Sequence, residues 1–288
     1  MALGRREDDV VARLIRMLDD PKLTTRYGAC RALRMQRARG APAVGALLKT
    51  FRSDDLWLRI LAAESLAGIG EPARAAVPEL LTRLASSDLE NDPRNMEQRY
   101  LCFALFGRRD GLIGKSLEGV DRGLLLRAIR AGLLNEDGRA RGDIASVYQN
   151  LPFDEIKPLL PEVLKAIAEP APSGIMFNAV IRMAGLELLA KHHVSEAIEL
   201  LADYSYKQKK HGSQRRIVKV MEMLKSYGTH AKRAIPRLET AAKYFENEET
   251  NFPRQLSKQK AKLVRETIDA IRAATGTPKL MYLTPPRK

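Results

Sequence analysis

The stretch "YSYKQKKHGSQRRIVK" at residues 204–219 brings the chain nearest to a ligand chemistry. Lys207, Lys209, Lys210, Arg215, Arg216 and Lys219 crowd beside Tyr204 and Tyr206. Ammonium and guanidinium groups neutralise phosphates, and a tyrosine ring stacks on a base. "RQLSKQKAKLVR" at 254–265 adds Lys258, Lys260, Lys262 and Arg265. The competing account is a solvated basic loop between two helices. The wider charge balance points the same way as the motif. The net charge is +14, and residues 205–288 hold 20 Lys and Arg against 7 Asp and Glu, while residues 1–204 are almost balanced. Such asymmetry suits an anionic partner without identifying one.

Other groups fall short of the chemistry they suggest. In "GRRDGLIGKS", residues 107–116, Gly114, Lys115 and Ser116 match the end of a phosphate-cradling P-loop. Arg109 stands where the first glycine is required, and no apolar strand leads into the segment, so a long loop is expected. His192 and His193 are adjacent and would point about 100° apart on a helix, so they do not chelate together. Neither they nor His211 and His230 join a cysteine or carboxylate cluster, and no metal is expected. Cys30 and Cys102 fall where helices need small residues to stack, which favours packing over a reactive thiol. "ENDPRN" at 90–95 lacks the alternation of a calcium loop, and Arg141–Gly142–Asp143 is read as chance. No catalytic group and no cofactor are assigned.

The elements that must position any site are helical. Aromatics are few, Ala, Leu, Arg and Glu are common, and no window alternates as a set of strands. The longest apolar stretches, such as "GLLLRAIRAGLL" at 123–134, are broken by arginines before the ~20 residues needed to cross a bilayer. "MALGRREDDV" has no apolar h-region, so no secretory signal is expected in this chain. A cytoplasmic protein is then the default unless the chain is part of an exported one.

Amphipathic helices come in pairs. Val10, Val11, Leu14, Ile15 and Leu18 share one face, and after "DDPKLTT" come Ala29, Cys30 and Leu33. Val44, Leu47, Leu48 and Phe51 lead through "RSDD" into a helix with Leu61, Ala62, Leu66 and Ile69. Arginines stand near the start of second helices at Arg26, Arg59, Arg99, Arg139, Arg182 and Arg216, at intervals of 33, 40, 40, 43 and 34 residues. A two-helix unit recurring at that period is the mark of a helical solenoid. The expected fold is therefore all-α, a right-handed superhelix of about seven helix pairs. The repeats fall near residues 8–36, 41–70, 71–107, 121–151, 153–192, 194–227 and 229–275, with a tail at 276–288.

"APAVGALLKTFRSDDLWLRILAAESLAGIG", residues 41–70, resembles a HEAT repeat through Pro42, Asp54, Asp55, Arg59, Ala62, Ala63 and Leu66. The chain also resembles the helical-repeat C-terminal region of large bacterial proteins of no assigned activity. The HEAT resemblance implies that turn aspartates and helix arginines hydrogen-bond along the stack. Arg26, Asp54, Asp55, Arg59 and Arg99 would then form a structural ladder, with Arg59 a peg between repeats. It further implies a non-catalytic scaffold whose second helices line a concave face for a protein partner. Nucleic-acid binding through the basic last third is the alternative. A HEAT-like DNA glycosylase is the third reading, and it would need Trp57 as a base-stacking wall instead of a packing or rim residue.

Overall fold

A chain short of β-branched alternation folds as helices, and the computed structural model is helical throughout. It describes all residues except 1, 87, 108, 110, 115, 207, 209–211, 251 and 284–288, and the side chains of 2–8 and 149. Among the described residues the β pairings are two isolated bridges, Asp137 with Ser173 and Val194 with Met281. The chain gathers into two compact units, residues 1–166 with 170–178, and residues 167–169 with 179–288.

The first unit comprises α1 (Ala2–Met17), α2 (Leu23–Met35), α3 (Val44–Phe51), α4 (Leu56–Ile69), α5 (Val77–Ala85), α6 (Met96–Phe106), α7 (Arg122–Leu134), α8 (Gly138–Ile144), the short α9 (Phe153–Ile156) and most of α10 (Leu160–Ala168). Consecutive helices pack as pairs, α1 on α2, α3 on α4, α5 on α6 and α7 on α8. Second helices also pack on second helices, α2 on α4, α4 on α6 and α6 on α8, while α5 packs on α7.

α4 shows how the sequence sets an element. Asp55 caps it, accepting a hydrogen bond from the Leu58 amide at 2.7 Å. Gly70 ends it at φ 82°, a conformation that costs other residues strain. Between them the helix is apolar almost all round, as befits one enclosed by α2, α3 and α6. Gly68 lets α2 come close, because a Cβ there would lie 2.9 Å from the Arg34 carbonyl oxygen.

The second unit holds nearly all of α11 (Asn178–Lys191), then α12 (Ala197–Tyr206), α13 (Ser213–Ser226), α14 (Ile235–Asn247) and α15 (Arg254–Ala273). α12 packs on α13 and on α14, and α15 packs on α13 and on α14. α15 buries Ser257, Lys260, Ala261, Val264, Thr267, Ile268 and Ile271, one face at helical spacing. The segment read as a tail returns onto this unit as far as it is described. Ser195 N donates to Met281 O, Met281 N to His193 O and Thr229 N to Gly276 O.

A short 3-10 turn enters α3, α5 and α14 with one residue pattern. A small buried residue stands four positions before the helix and another just before it: Gly40 and Ala43, Ala73 and Ala76, Ala231 and Ala234. A β-branched residue then opens the helix, Val44, Val77 or Ile235. Small side chains let the turn nest against its neighbours, and the branched one starts the apolar face.

Candidate functional site

Residues three or four apart share one helix face, so Tyr27, Arg31 and Arg34 align on α2 and Trp57, Leu61 and Glu64 on α4. With Tyr100 of α6 they border a groove of about 690 Å³ in the first unit. Trp57 is 46 % exposed and meets the Tyr100 ring edge-on, with centroids 6.0 Å apart. Met35, 71 % exposed, stands at the α2 end, and Ile60 and Leu61 belong to the lining from α4.

Charge is placed around this apolar surface. Arg34 pairs with Glu64 at 3.2 Å, and its guanidinium lies 5.7 Å from the Phe103 ring centre. Arg31 and Arg37 add two more cations to the lining. The Tyr27 hydroxyl donates to Asp55 at 2.8 Å, and desolvation followed by that carboxylate raises the phenol above its usual range. Beneath the groove, Ser65 donates to the Cys30 and Leu61 carbonyl oxygens, tying α4 to α2.

The arginines near helix starts bind internal acceptors. Arg59, only 7 % exposed, donates from Nε and Nη2 to the Glu97 carboxylate at 2.7 and 3.2 Å. Its Nη1 donates to the backbone oxygens of Ser53 and Asp54, both at 2.9 Å. Arg83 joins the same carboxylate, and the Glu97 amide donates to Asp92. Asp54 thus serves Arg59 through its carbonyl, and Asp55 caps α4 and accepts from Tyr27. The carboxylate on Arg59 is Glu97, not the turn aspartates that the ladder assigns. Arg99 pairs with Asp137 at 3.2 Å and stacks on Tyr100, while Arg26 sits one turn into α2 with its Nε lacking a hydrogen bond.

Arg139 was the residue at the expected interval, yet Arg141 occupies the place equivalent to Arg59. Arg141 is 7 % exposed and donates to the Asn135 and Pro170 carbonyl oxygens at 2.6 and 3.0 Å. Arg139 instead covers the Phe103 ring at 4.4 Å, beside Asp143. Burial raises the Asp143 carboxyl to about 6 against the pull of Arg139. Arg182 donates to the Ile167 and Ala168 carbonyl oxygens.

Of the basic cluster, Lys207, Lys209 and Lys210 lie outside the described residues. Arg215 and Lys219 are exposed on α13, and Lys258 and Lys262 on α15. Lys219 pairs with Glu187 at 3.1 Å and Lys262 with Glu266 at 3.8 Å. Lys260 does not belong with them at the surface. It falls on the inner face of α15, is 3 % exposed, donates to Ser213 Oγ at 2.8 Å and sits 3.5 Å from the Phe252 ring centre. Burial lowers its ammonium to about 8, with Arg216 pushing the same way and Glu249 opposing. Arg216 is half-buried.

The remaining motifs have structural surroundings. Arg74 donates to the Leu112, Ser116 and Glu118 carbonyl oxygens, holding the loop that contains Gly114 and Ser116; Lys115 lies outside the described residues. His193 meets Tyr227 edge-on, and His230 bonds the Pro278 carbonyl. Cys30 and Cys102 are fully buried, and burial pushes Cys30 up to about 12. No group of three or more metal-ligating side chains occurs among the described residues, and none of their helices is long and apolar enough to cross a membrane. No protein-family model matches the chain, and no curated protein matches it in sequence.

Proposed function

We propose that the chain is a HEAT-like helical-repeat scaffold that holds a protein partner, without catalysing a reaction, on the faces of α2, α4 and α6. The observation that carries this is the exposed Trp57 opposite Tyr100, set in a groove whose walls are helices. A half-exposed tryptophan beside an exposed methionine is the kind of surface that gains free energy when a partner covers it, at roughly 25 cal/mol per Å² of apolar area. Tryptophan, tyrosine and arginine are also the residues in which interface energy concentrates. The groove is preorganised, because Arg59, Glu97 and Ser65 fix the helices behind it, so little ordering free energy opposes binding. The stacking of α2, α4, α6 and α8 by their second-helix positions supports the HEAT-like repeat.

Affinity capture from nuclease-treated lysate of the source cells, with wild type and Trp57→Ala compared, tests this. Partners retained by wild type and lost with the variant are expected. A captured set indifferent to Trp57→Ala overturns the groove as the docking face.

The second reading is phosphate-backbone binding by the basic last third, favoured by the exposed Arg215, Lys219, Lys258 and Lys262. It predicts binding to double-stranded DNA that falls steeply with salt. Joint neutralisation of Lys209, Lys210, Arg215 and Arg216 would abolish it, and unchanged binding rules that patch out.

A further inference from the structure

We propose that the loop edge beneath the C-terminal tail is a binding site for an extended peptide, and that residues 275–283 are its resident, displaceable ligand. The site belongs to the second unit and does not depend on the reading of the α2/α4/α6 groove.

The seat is shaped by the unit itself. The segment from His193 to Glu196 joins α11 to α12, and the segment from Tyr227 to His230 leaves α13 on the way to α14. Tyr227 is fully buried, and its hydroxyl reaches the Leu189 and Val194 carbonyl oxygens at 3.3 and 2.9 Å. Arg233 donates to the Ser195 carbonyl oxygen and to its Oγ. Val194 and Ser195 are buried between these fasteners. With the seat fixed from within, a strand laid across it meets donors and acceptors already in place.

The tail lies there as an added strand. Met281 N donates to His193 O at 3.1 Å and Ser195 N donates to Met281 O at 2.8 Å, the pair of bonds by which one residue of a parallel strand spans its neighbour. Thr229 N donates to Gly276 O at 2.9 Å, and His230 Nε2 donates to Pro278 O at 3.0 Å. Leu283 N donates to the Glu196 carboxylate at 3.0 Å. All five bonds use main-chain groups of the tail, which any extended peptide also carries. Selectivity comes from two further contacts. Thr277 Oγ1 lies 2.9 Å from Thr229 Oγ1, and a Cβ on Gly228 would fall 2.1 Å from Gly276 O and 3.1 Å from Pro278 Cδ. The seat therefore favours a Thr-Pro pair laid over Gly228, with a half-buried apolar residue three positions after the proline, where Met281 stands.

Little holds the tail besides these bonds. No residue from Arg272 to Leu283 is buried, so its departure exposes little apolar surface. Water replaces most of what each lost hydrogen bond contributed, and the freed chain regains conformational entropy. Segments attached in this way open well below the free energy of global unfolding. An incoming peptide competes with a ligand tethered through the extended Ala274, whose effective concentration is on the order of millimolar.

The test uses the full chain. Met281→Pro removes the amide that donates to His193 and empties the seat without altering it, and circular dichroism shows whether the helices remain. A fluorescein-labelled peptide TGTPKLMYL, residues 275–283, is then titrated by anisotropy. Saturable binding to the Met281→Pro chain is expected, at least about tenfold tighter than to wild type, whose own tail competes. Adding Gly228→Ala should abolish it. Hydrogen exchange on wild type needs no variant, and the Ser195, Thr229 and Met281 amides should exchange by local opening, well ahead of the interior amides of α13. Exchange of those three no faster than α13 overturns a displaceable tail. A folded Met281→Pro chain that takes no peptide overturns the site, and so does binding indifferent to Gly228→Ala. Loss of the helices in Met281→Pro would show the tail to be part of the fold and not a ligand, which overturns the proposal as well.

Discussion

Arg59 spends every strong interaction inward: two bonds to Glu97 and two to the turn that precedes its own helix. Removing Arg59 leaves the buried Glu97 carboxylate with Arg83 alone, and breaking a buried, hydrogen-bonded ion pair from one side costs up to about 3–5 kcal/mol. Arg59→Met should therefore destabilise the first unit by that order in urea denaturation. The double variant Arg59→Met/Glu97→Met should recover part of the loss, since the one charge it leaves without its partner, Arg83, is about a third exposed and can be solvated. A double variant no more stable than the single one would refute the pairing. Lys260 carries the opposite kind of prediction. Its folded value of about 8 lies below the ordinary 10.5, so between those values the unfolded chain keeps a proton the folded chain has released. Its contribution to stability rises with pH across that window, and below pH 8 the buried ammonium is a cost. Lys260→Met should raise Tm at pH 7, by a free energy on the order of 1 kcal/mol, and that advantage should shrink by pH 10. Comparing the two chains at each pH cancels Cys30, Cys102 and Tyr227, whose raised values act the other way in both. An advantage that does not vary with pH would refute this. Arg59 was visible as a lone cation in an apolar run. Glu97 was not, because 38 residues separate it from Arg59 and nothing local joins them.

Elements were legible where periodicity is strong. The all-α character follows from the absence of alternation, and α4 follows from Asp55, its apolar run and Gly70. Counting from one arginine to the next failed at α8, where it landed on Arg139. Counting from the cap would have served better. Asp55 caps α4 and Asp137 caps α8, each accepting an amide of its first turn, and four residues on lie Arg59 and Arg141. Lys260 was misplaced for a similar reason, since a cluster of lysines was read by composition when the spacing of Ser257, Ala261 and Val264 already turned it inward. The small-residue pattern of the 3-10 turns passed unnoticed because alanine carries no periodic signal of its own. At this scale Gly68→Ala is expected to push α2 off α4 and destabilise by about 1–3 kcal/mol, read from the urea midpoint, although alanine is the better helix former. A gain in stability would show that the two helices are not in close contact there.

Across the whole chain, charge is segregated: the last third carries nearly all of the +14, and the rest is nearly balanced. Exposed cations such as Arg215, Lys219, Lys258 and Lys262 should dominate non-specific retention on an anionic resin, and an ionic strength near 0.5 M should largely remove it by screening. Replacing those four by Ala should shift elution to distinctly lower salt, while Arg31→Ala should shift it little. Equal shifts would mean that the segregation in sequence does not govern the surface. Composition made this asymmetry plain, but composition does not say which helix faces the cations occupy, and so which of them a partner could reach.

The shared carboxylate of Glu97 has a reach beyond stability. It fastens Arg59 on α4 and Arg83 on α5 while sitting on α6 itself. A slip of α4 along α6 by one turn, about 5.4 Å, would have to tear that rivet. Trp57 and Tyr100 sit on the two helices that this contact joins, and neither Arg59 nor Glu97 lines the groove between them. On the docking reading proposed above, exchanging Glu97 for its amide should change which partners fit the groove without altering any residue of the surface they would meet.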